Sequence, residues 1–192
     1  MRPFLTGLLA LLLIGTPLQP LAEASTVEKV LQSVVSIEYY HYGSIHGCSG
    51  FIVNKVRGEV LTARHCIPDY GPIFVDGGFS YVIKKDEWLA LLKTHPAVRP
   101  ELEINDKPLH IAQPVTTFGF AFGRMLILDR RFIGYWNQNI ILNGPLIPGM
   151  SGGPVVNRAG KVIGLNQATT SIIGLATNQE QISNFLAGKP TN

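Results

Sequence analysis

The chain has 192 residues, a formal net charge of +3, and 46% hydrophobic against 15% charged residues. That is enough for one domain and too apolar for a disordered chain. Its basic doublets, Lys84-Lys85 and Arg130-Arg131, form no stripe, which argues against nucleic-acid binding.

The N-terminus has the build of a signal peptide. Arg2 is the positive start, residues 5–14 are an apolar run, and Pro17 and Pro20 break it. Ala22-Glu23-Ala24 then offers a small-x-small cleavage pattern before Ser25. The run is short for a bilayer span, and an uncleaved anchor is the alternative. The expectation is a signal peptide over 1–24 and an exported chain from Ser25, secreted or periplasmic, with no stable membrane insertion after cleavage. Two cysteines are present, Cys48 and Cys66. In an exported chain an even count favours a disulfide. Two cysteines cannot form a four-ligand zinc site, and no HExxH helix occurs, so neither metal nor cofactor is expected.

A short helix is expected over 26–32, then a strand over 34–42, rich in β-branched and aromatic residues. A turn over 42–47 leads to a strand at 48–53, a polar turn at 56–59 and a strand at 60–62. Ala63-Arg64-His65-Cys66 follows, and Pro68 and Asp69 start a loop. Further strands are read at 79–83 and 88–92. Residues 96–108, with three prolines and three acidic side chains, read as a linker. Beyond it come a strand at 114–120, a hairpin of 125–129 with 131–136, a turn at 137–139 and a strand at 140–142. Strands at 155–157, 161–166 and 172–176 follow. Thr177 to Glu180 has capping-box spacing, and Ile182, Phe185 and Leu186 give a helix with one apolar face, ended by Gly188 and Pro190.

Two motifs carry chemistry. In Pro148-Gly149-Met150-Ser151-Gly152-Gly153-Pro154 a serine sits among glycines. Such a turn can expose the hydroxyl and aim backbone N–H groups at one point, where they stabilise the oxygen of a tetrahedral acyl intermediate. About 85 residues upstream, a strand ends in Leu61-Thr62-Ala63 and delivers His65 with Cys66 beside it. Residues 47–53 and 60–66 resemble the histidine segment of the chymotrypsin-like serine peptidases. Gly119-Phe120-Ala121-Phe122-Gly123 resembles a glycine turn of the bacterial high-temperature-requirement proteases, with Ala121 where proline is common. The likeness extends over about 34–186. It is nearest in style to small bacterial trypsin-like domains without a PDZ domain.

The resemblance implies an all-β fold of two antiparallel six-stranded barrels with a short C-terminal helix. It places an N-terminal barrel at about 33–95, a linker at 96–110 and a C-terminal barrel at 111–187, within a peptidase domain of 25–192. It implies pairing of Cys48 with Cys66. It also implies a Ser151 nucleophile, a His65 general base and an oxyanion hole from the N–H groups of Gly149 and Ser151. The third member departs from the pattern. Trp88 occupies the slot before Leu89-Ala90-Leu91-Leu92 where the family keeps its aspartate. Asp86 is the expected carboxylate, with Glu87 second, and a dyad or recruitment of Asp69 or Asp76 as alternatives. Met150 stands where digestive members keep an aspartate that pairs with a newly cut N-terminus, so zymogen activation of that kind is not expected. The primary pocket would draw on Leu146, Ile147, Asn166, Gln167, Ala168 and Thr177. With no acidic residue among them, small or medium apolar side chains are expected as substrate anchors, and proteins or peptides as partners. The competing readings are a protease-like binding protein with a decayed site and an unrelated exported β-domain.

Overall fold

The computed structural model describes residues 19–41, 43–96 and 98–190, with side chains described from Ser25 onward except at His41. Of the expected signal peptide, 1–24, residues 1–18 lie outside them. Helix α1, Gln19–Ser33, runs across the expected cleavage junction. Among the described residues no helix is long and apolar enough to cross a membrane.

Twelve strands follow in two closed antiparallel barrels. The first contains β1 (Val34–His41), β2 (Ser44–Asn54), β3 (Glu59–Ala63), β4 (Ile73–Val75), β5 (Gly78–Lys85) and β6 (Leu89–Lys93), in the order β1-β2-β3-β6-β5-β4. The second contains β7 (Pro114–Ala121), β8 (Arg124–Trp136), β9 (Asn139–Asn143), β10 (Pro154–Val156), β11 (Val162–Thr169) and β12 (Ile173–Asn178), in the order β10-β11-β12-β9-β8-β7. Helix α2, Gln179–Leu186, closes the fold. Closure removes the sheet edges that would otherwise expose unpaired backbone groups. Each barrel is filled by inward-facing apolar side chains: Ile37, Phe51, Leu61, Leu89 and Leu92 in the first, Phe132, Ile140, Leu142 and Ile163 in the second.

The elements interlock the two halves. Ile182 and Phe185 of α2 pack into the same apolar cluster as the first barrel. The Lys84 ammonium on β5 caps the carbonyls of Phe185 and Leu186, placing a cation at the helix C-terminus where the dipole favours it. Among the described residues of 94–113 there is no strand. They are tied down at Leu102, whose N–H donates to Ile52 C=O at 2.9 Å, and at Ile104, which bridges to Val162.

Three local expectations change. Residues 124–136 form one long strand rather than a hairpin. Its neighbouring turns sit at Phe122-Gly123, with φ of 53° and 72°, and at Asn137-Gln138, with φ of 45° and 68°. Those are the left-handed angles that a two-residue hairpin needs. Asp129-Arg130-Arg131 lacks them and runs straight through, and the strand bends only at a bulge near Gly134, φ 150°. The short strand β4 lies in what reads as a loop. The capping box is Asn178 with Gln181, one residue later than Thr177 with Glu180. The Asn178 side chain accepts from Gln181 N–H at 2.8 Å, while Thr177 stays inside the barrel.

Cys48 on β2 and Cys66 after β3 form a disulfide across a separation of 18 residues. Closing a loop of that order stabilises a fold by about 3 kcal/mol, chiefly by restricting the unfolded chain. Urea unfolding of the Cys48→Ala/Cys66→Ala double variant should show a loss of that size. A loss well under 1 kcal/mol would mean that the β2–β3 loop is already restricted in the unfolded state.

Candidate active site

The loop between β9 and β10 is shaped by its glycines. Gly149 has φ of 99°, and a Cβ there would lie 2.6 Å from the Phe120 carbonyl oxygen. Gly152 has φ of 84°, and a Cβ would lie 2.1 Å from the Ser49 oxygen. Neither position tolerates a side chain, so the loop can press against both barrels only with glycine there. Met150 between them is fully buried and anchors the loop apolarly.

Nearly every peptide of this loop is fixed. Met150 N–H donates to Ile147 C=O at 3.0 Å, Gly152 N–H to Asn166 C=O at 2.8 Å, and Gly153 N–H to Met150 C=O at 3.0 Å. The Asn166 amide donates to Met150 C=O and Phe118 C=O, both at 3.2 Å. From the first barrel, Ser49 N–H donates to Ser151 C=O at 2.8 Å, and Ser49 Oγ donates to Gly149 C=O at 2.8 Å. Among the described residues, the N–H groups of Gly149 and Ser151 have no acceptor. Flanked by the bonded N–H groups of Met150, Gly152 and Gly153, two such half-buried donors are of the kind that can hold an anionic oxygen. The half-buried Ser151 hydroxyl donates to the Gln167 carbonyl at 3.3 Å in this conformation.

His65 sits in a single 3₁₀ turn, Arg64–Cys66, directly after β3. The disulfide at Cys66 brings this turn to the serine loop, with Cys66 Sγ 3.7 Å from the Ser151 carbonyl oxygen. A disulfide sulfur carries no proton, so this is packing. The imidazole is exposed on one edge, while burial of the rest pushes its pKa below the ordinary histidine value. His65 makes no hydrogen bond or ion pair among the described residues. It lies within 4.8 Å of both cysteine sulfurs, but those are consumed in the disulfide and offer no thiolate to a metal.

The carboxylates near the entrance to β6 are placed as follows. Asp86 Oδ1 accepts from Trp88 N–H at 2.8 Å and Leu89 N–H at 2.7 Å, and Asp86 N–H donates to Leu89 C=O at 3.0 Å. This closes a tight turn that pushes Glu87 and Trp88 outward, both exposed. Trp88 keeps a role through its main chain: its carbonyl accepts from Arg64 N–H at 2.8 Å and from Gln167 Nε2 at 2.9 Å. Asp69 pairs with Arg64 at 3.5 Å. Asp76 is held by Ser36 and Arg99 at the far end of the first barrel.

Among the expected pocket residues, Gln167 and Thr177 meet inside the second barrel, with Gln167 Nε2 donating to Thr177 Oγ1 at 2.8 Å. Leu146 is buried over Gly174, where an added Cβ would lie 2.9 Å from Leu146 Cγ. Thr169 Oγ1 accepts from Leu146 N–H at 2.9 Å and holds it there. Ile147 is half-buried, Ala168 is exposed at the rim, and Asn166 turns away toward the serine loop. Sequence reading passed over Ser49, Thr169 and Gly174. A small polar residue between Cys48 and Gly50 in an otherwise apolar strand was the available signal for Ser49.

Two closed six-stranded barrels, with a histidine turn from one facing a glycine-framed serine loop of the other, define the architecture of the chymotrypsin-like serine peptidases. Residues 48–165 match the model of the trypsin-like peptidase domain, and the chain belongs to that family. Among solved structures it is similar to the inactive form of the Rv3671c protease, at 18% identity and a TM-score of 0.75, over 91% of this chain and 97% of that one. The active form of the Rv3671c protease from M. tuberculosis gives 17% identity and a TM-score of 0.76, over 97% and 92%. A serine endoprotease from Yersinia pestis gives 22% identity and a TM-score of 0.77, over 91% and 67%. At such identities the likeness is one of fold. Comparison with curated proteins gives no match.

Because burial disfavours the imidazolium of His65, the neutral base persists to lower pH than in a free histidine. The unfolded chain then binds the extra proton first. This contribution to stability is complete above the ordinary pKa of about 6.5 and is lost as pH falls toward the folded value. An NMR titration of the His65 ring should give a midpoint below that of an unstructured peptide. A midpoint above it would reveal an anionic partner instead.

Proposed function

We propose that this chain is an exported serine endopeptidase that cleaves peptide bonds through an acyl-enzyme intermediate. The observation that carries the reading is the pair of N–H groups at Gly149 and Ser151, left without acceptors among the described residues while Met150, Gly152 and Gly153 N–H around them are bonded. Ser151 is the nucleophile. Its hydroxyl turns from the Gln167 carbonyl to His65, which takes the proton as Oγ attacks the substrate carbonyl. The oxyanion forms against Gly149 and Ser151 N–H, and removing one such donor costs on the order of 3 kcal/mol in the transition state. His65 then gives the proton to the leaving amine, and water reverses the sequence to release the acyl group.

We assign Asp86 as the third member. It stands at the β6 entrance, joined to the histidine turn by the Arg64 N–H to Trp88 C=O bond. A second reading, a Ser-His dyad with Asp86 as a turn cap only, is favoured by the imidazole's lack of a carboxylate partner among the described residues. The alternative of a decayed, protease-like binding protein rests on Trp88 in the aspartate slot. Export is supported by Arg2, the apolar run and Ala22-Glu23-Ala24.

A fluorophosphonate probe reacts only with an activated serine and decides among these. Under the peptidase reading, protein recovered from the envelope or medium of an expressing bacterium begins at Ser25 and is labelled, and Ser151→Ala is not. Asp86→Asn retains a carbonyl oxygen for the turn but not the charge. Under the triad it loses activity by about 10⁴-fold, whereas under the dyad it stays within about 10-fold. Unlabelled, folded wild type would support the binding protein.

The buried Leu146, packed closely over Gly174, would restrict the primary pocket to small substrate side chains, and none of the residues assigned to the pocket is acidic. In a peptide panel, alanine and valine before the scissile bond should outperform phenylalanine and lysine. Leu146→Ala should shift preference toward leucine by about 1–3 kcal/mol per methylene accommodated. An unchanged profile would remove Leu146 from the specificity site.

A further inference from the structure

Every polar group of Ser49 is used, and most of them act on the serine loop. Its side chain is fully buried. Ser49 Oγ accepts from Phe120 N–H at 2.7 Å and donates to Gly149 C=O at 2.8 Å. Its N–H holds Ser151 C=O at 2.8 Å, and its own carbonyl accepts from Thr62 Oγ1 at 2.7 Å. Ser49 thus grips the loop on both sides of Met150.

The peptide between Gly149 and Met150 lies between the two unpartnered N–H groups, so its plane decides whether they face the same point. That plane is fixed at one end by Ser49 Oγ on Gly149 C=O and at the other by Met150 N–H on Ile147 C=O. The next peptide is fixed through Met150 C=O by Gly153 N–H and the Asn166 amide. The one after it is fixed at both ends, through Ser49 N–H on Ser151 C=O and Gly152 N–H on Asn166 C=O. Glycine at 149 has the rotational freedom to turn its peptide over once the carbonyl is released. Met150, in the slot before the serine, offers no charge with which a new N-terminus could hold the loop.

We propose that Ser49 is a positioning residue that keeps the oxyanion hole formed at all times, with Asn166 as its counterpart from the second barrel. The first barrel reaches across the cleft and does by hydrogen bonds what an activation-dependent ion pair would otherwise do. The active conformation is then set by folding alone. This rests on the peptidase reading above and names how that site is regulated: it has no inactive loop state to be released by cleavage.

The test compares Ser49→Ala, Asn166→Leu and Ser33→Ala in the mature chain, using an alanyl peptide amide and the matching peptide boronic acid as a tetrahedral mimic. Ser33 is the control. It is as buried as Ser49, and its hydroxyl bonds the carbonyls of Lys29 at 2.9 Å and Pro100 at 2.8 Å, away from the serine loop. Ser49→Ala should lower kcat by about 100-fold, leave KM within about 3-fold and weaken boronate binding by the same factor as kcat. Ser33→Ala should lose comparable urea resistance with unchanged kcat. Asn166→Leu removes the amide donors to Met150 C=O and Phe118 C=O together with a buried Oδ1 that has no partner among the described residues; Met150 C=O keeps Gly153 N–H, and the variant should show the same split. Folded Ser49→Ala with wild-type kcat and boronate affinity overturns the inference alone. If Ser49→Ala does not fold, Asn166→Leu with wild-type values does so. Wild type that neither cleaves peptide nor takes a fluorophosphonate overturns the peptidase reading and this inference together.

Discussion

The structure depends on the seam where β2 of the first barrel meets the serine loop of the second. The bond from Ser49 N–H to Ser151 C=O is its centre. Around it the barrels approach so closely that a Cβ on Gly119 would come within 2.8 Å of Met150 Cα and 2.9 Å of Ser49 Oγ. Such an approach requires the backbone polar groups on both sides to find partners, because water is excluded. The seam meets this with side chains that bridge the halves: Ser49 from one side, and from the other Gln167, whose amide reaches the Trp88 carbonyl. Without these bridges the barrels would meet at this seam mainly through apolar contact, which fixes distance poorly.

The same seam explains why a disulfide sits where it does. Cys48 immediately precedes Ser49, and Cys66 immediately follows His65. Linking them ties the residue that grips the serine loop to the turn that carries the imidazole. The packing of Cys66 Sγ on the Ser151 carbonyl oxygen completes the circuit. Histidine turn, disulfide, Ser49 and serine loop are therefore one rigid unit built from both barrels. Rigidity of that kind limits the reorganisation needed when charge develops on a reacting carbonyl.

Much of this was legible in the sequence, for identifiable reasons. Alternating or continuous apolar runs bounded by glycine and proline gave most strands, since the inward side of a closed barrel accepts little else. The histidine and serine motifs were legible because their glycines and cysteines have few other uses at such spacing. The strand β4 was missed because it has only three residues, too few for a period to show. The continuous β8 was divided because Arg130-Arg131 looks like polar punctuation, although nothing there supplies a left-handed turn. Ser49 was passed over because a hub of tertiary hydrogen bonds leaves no periodic trace. A buried serine in a strand reads the same whether it bonds across a barrel or simply fits.

The entrance to β6 shows how a main-chain interaction can hold a position whose side chain has changed. Trp88 stands in the family's aspartate slot with its indole half outside. Yet its carbonyl still accepts from Arg64 N–H, which fixes the histidine turn, and from Gln167, which fixes the second barrel. Those contacts belong to the backbone and survive any side chain. What changes is the route to a carboxylate. The tight turn closed by Asp86 on Trp88 and Leu89 N–H sets that carboxylate two residues upstream, against the main chain. There the carboxylate stiffens the strand entrance on which the Trp88 carbonyl depends. Asp86 therefore bears on the histidine turn through the Trp88–Arg64 bond.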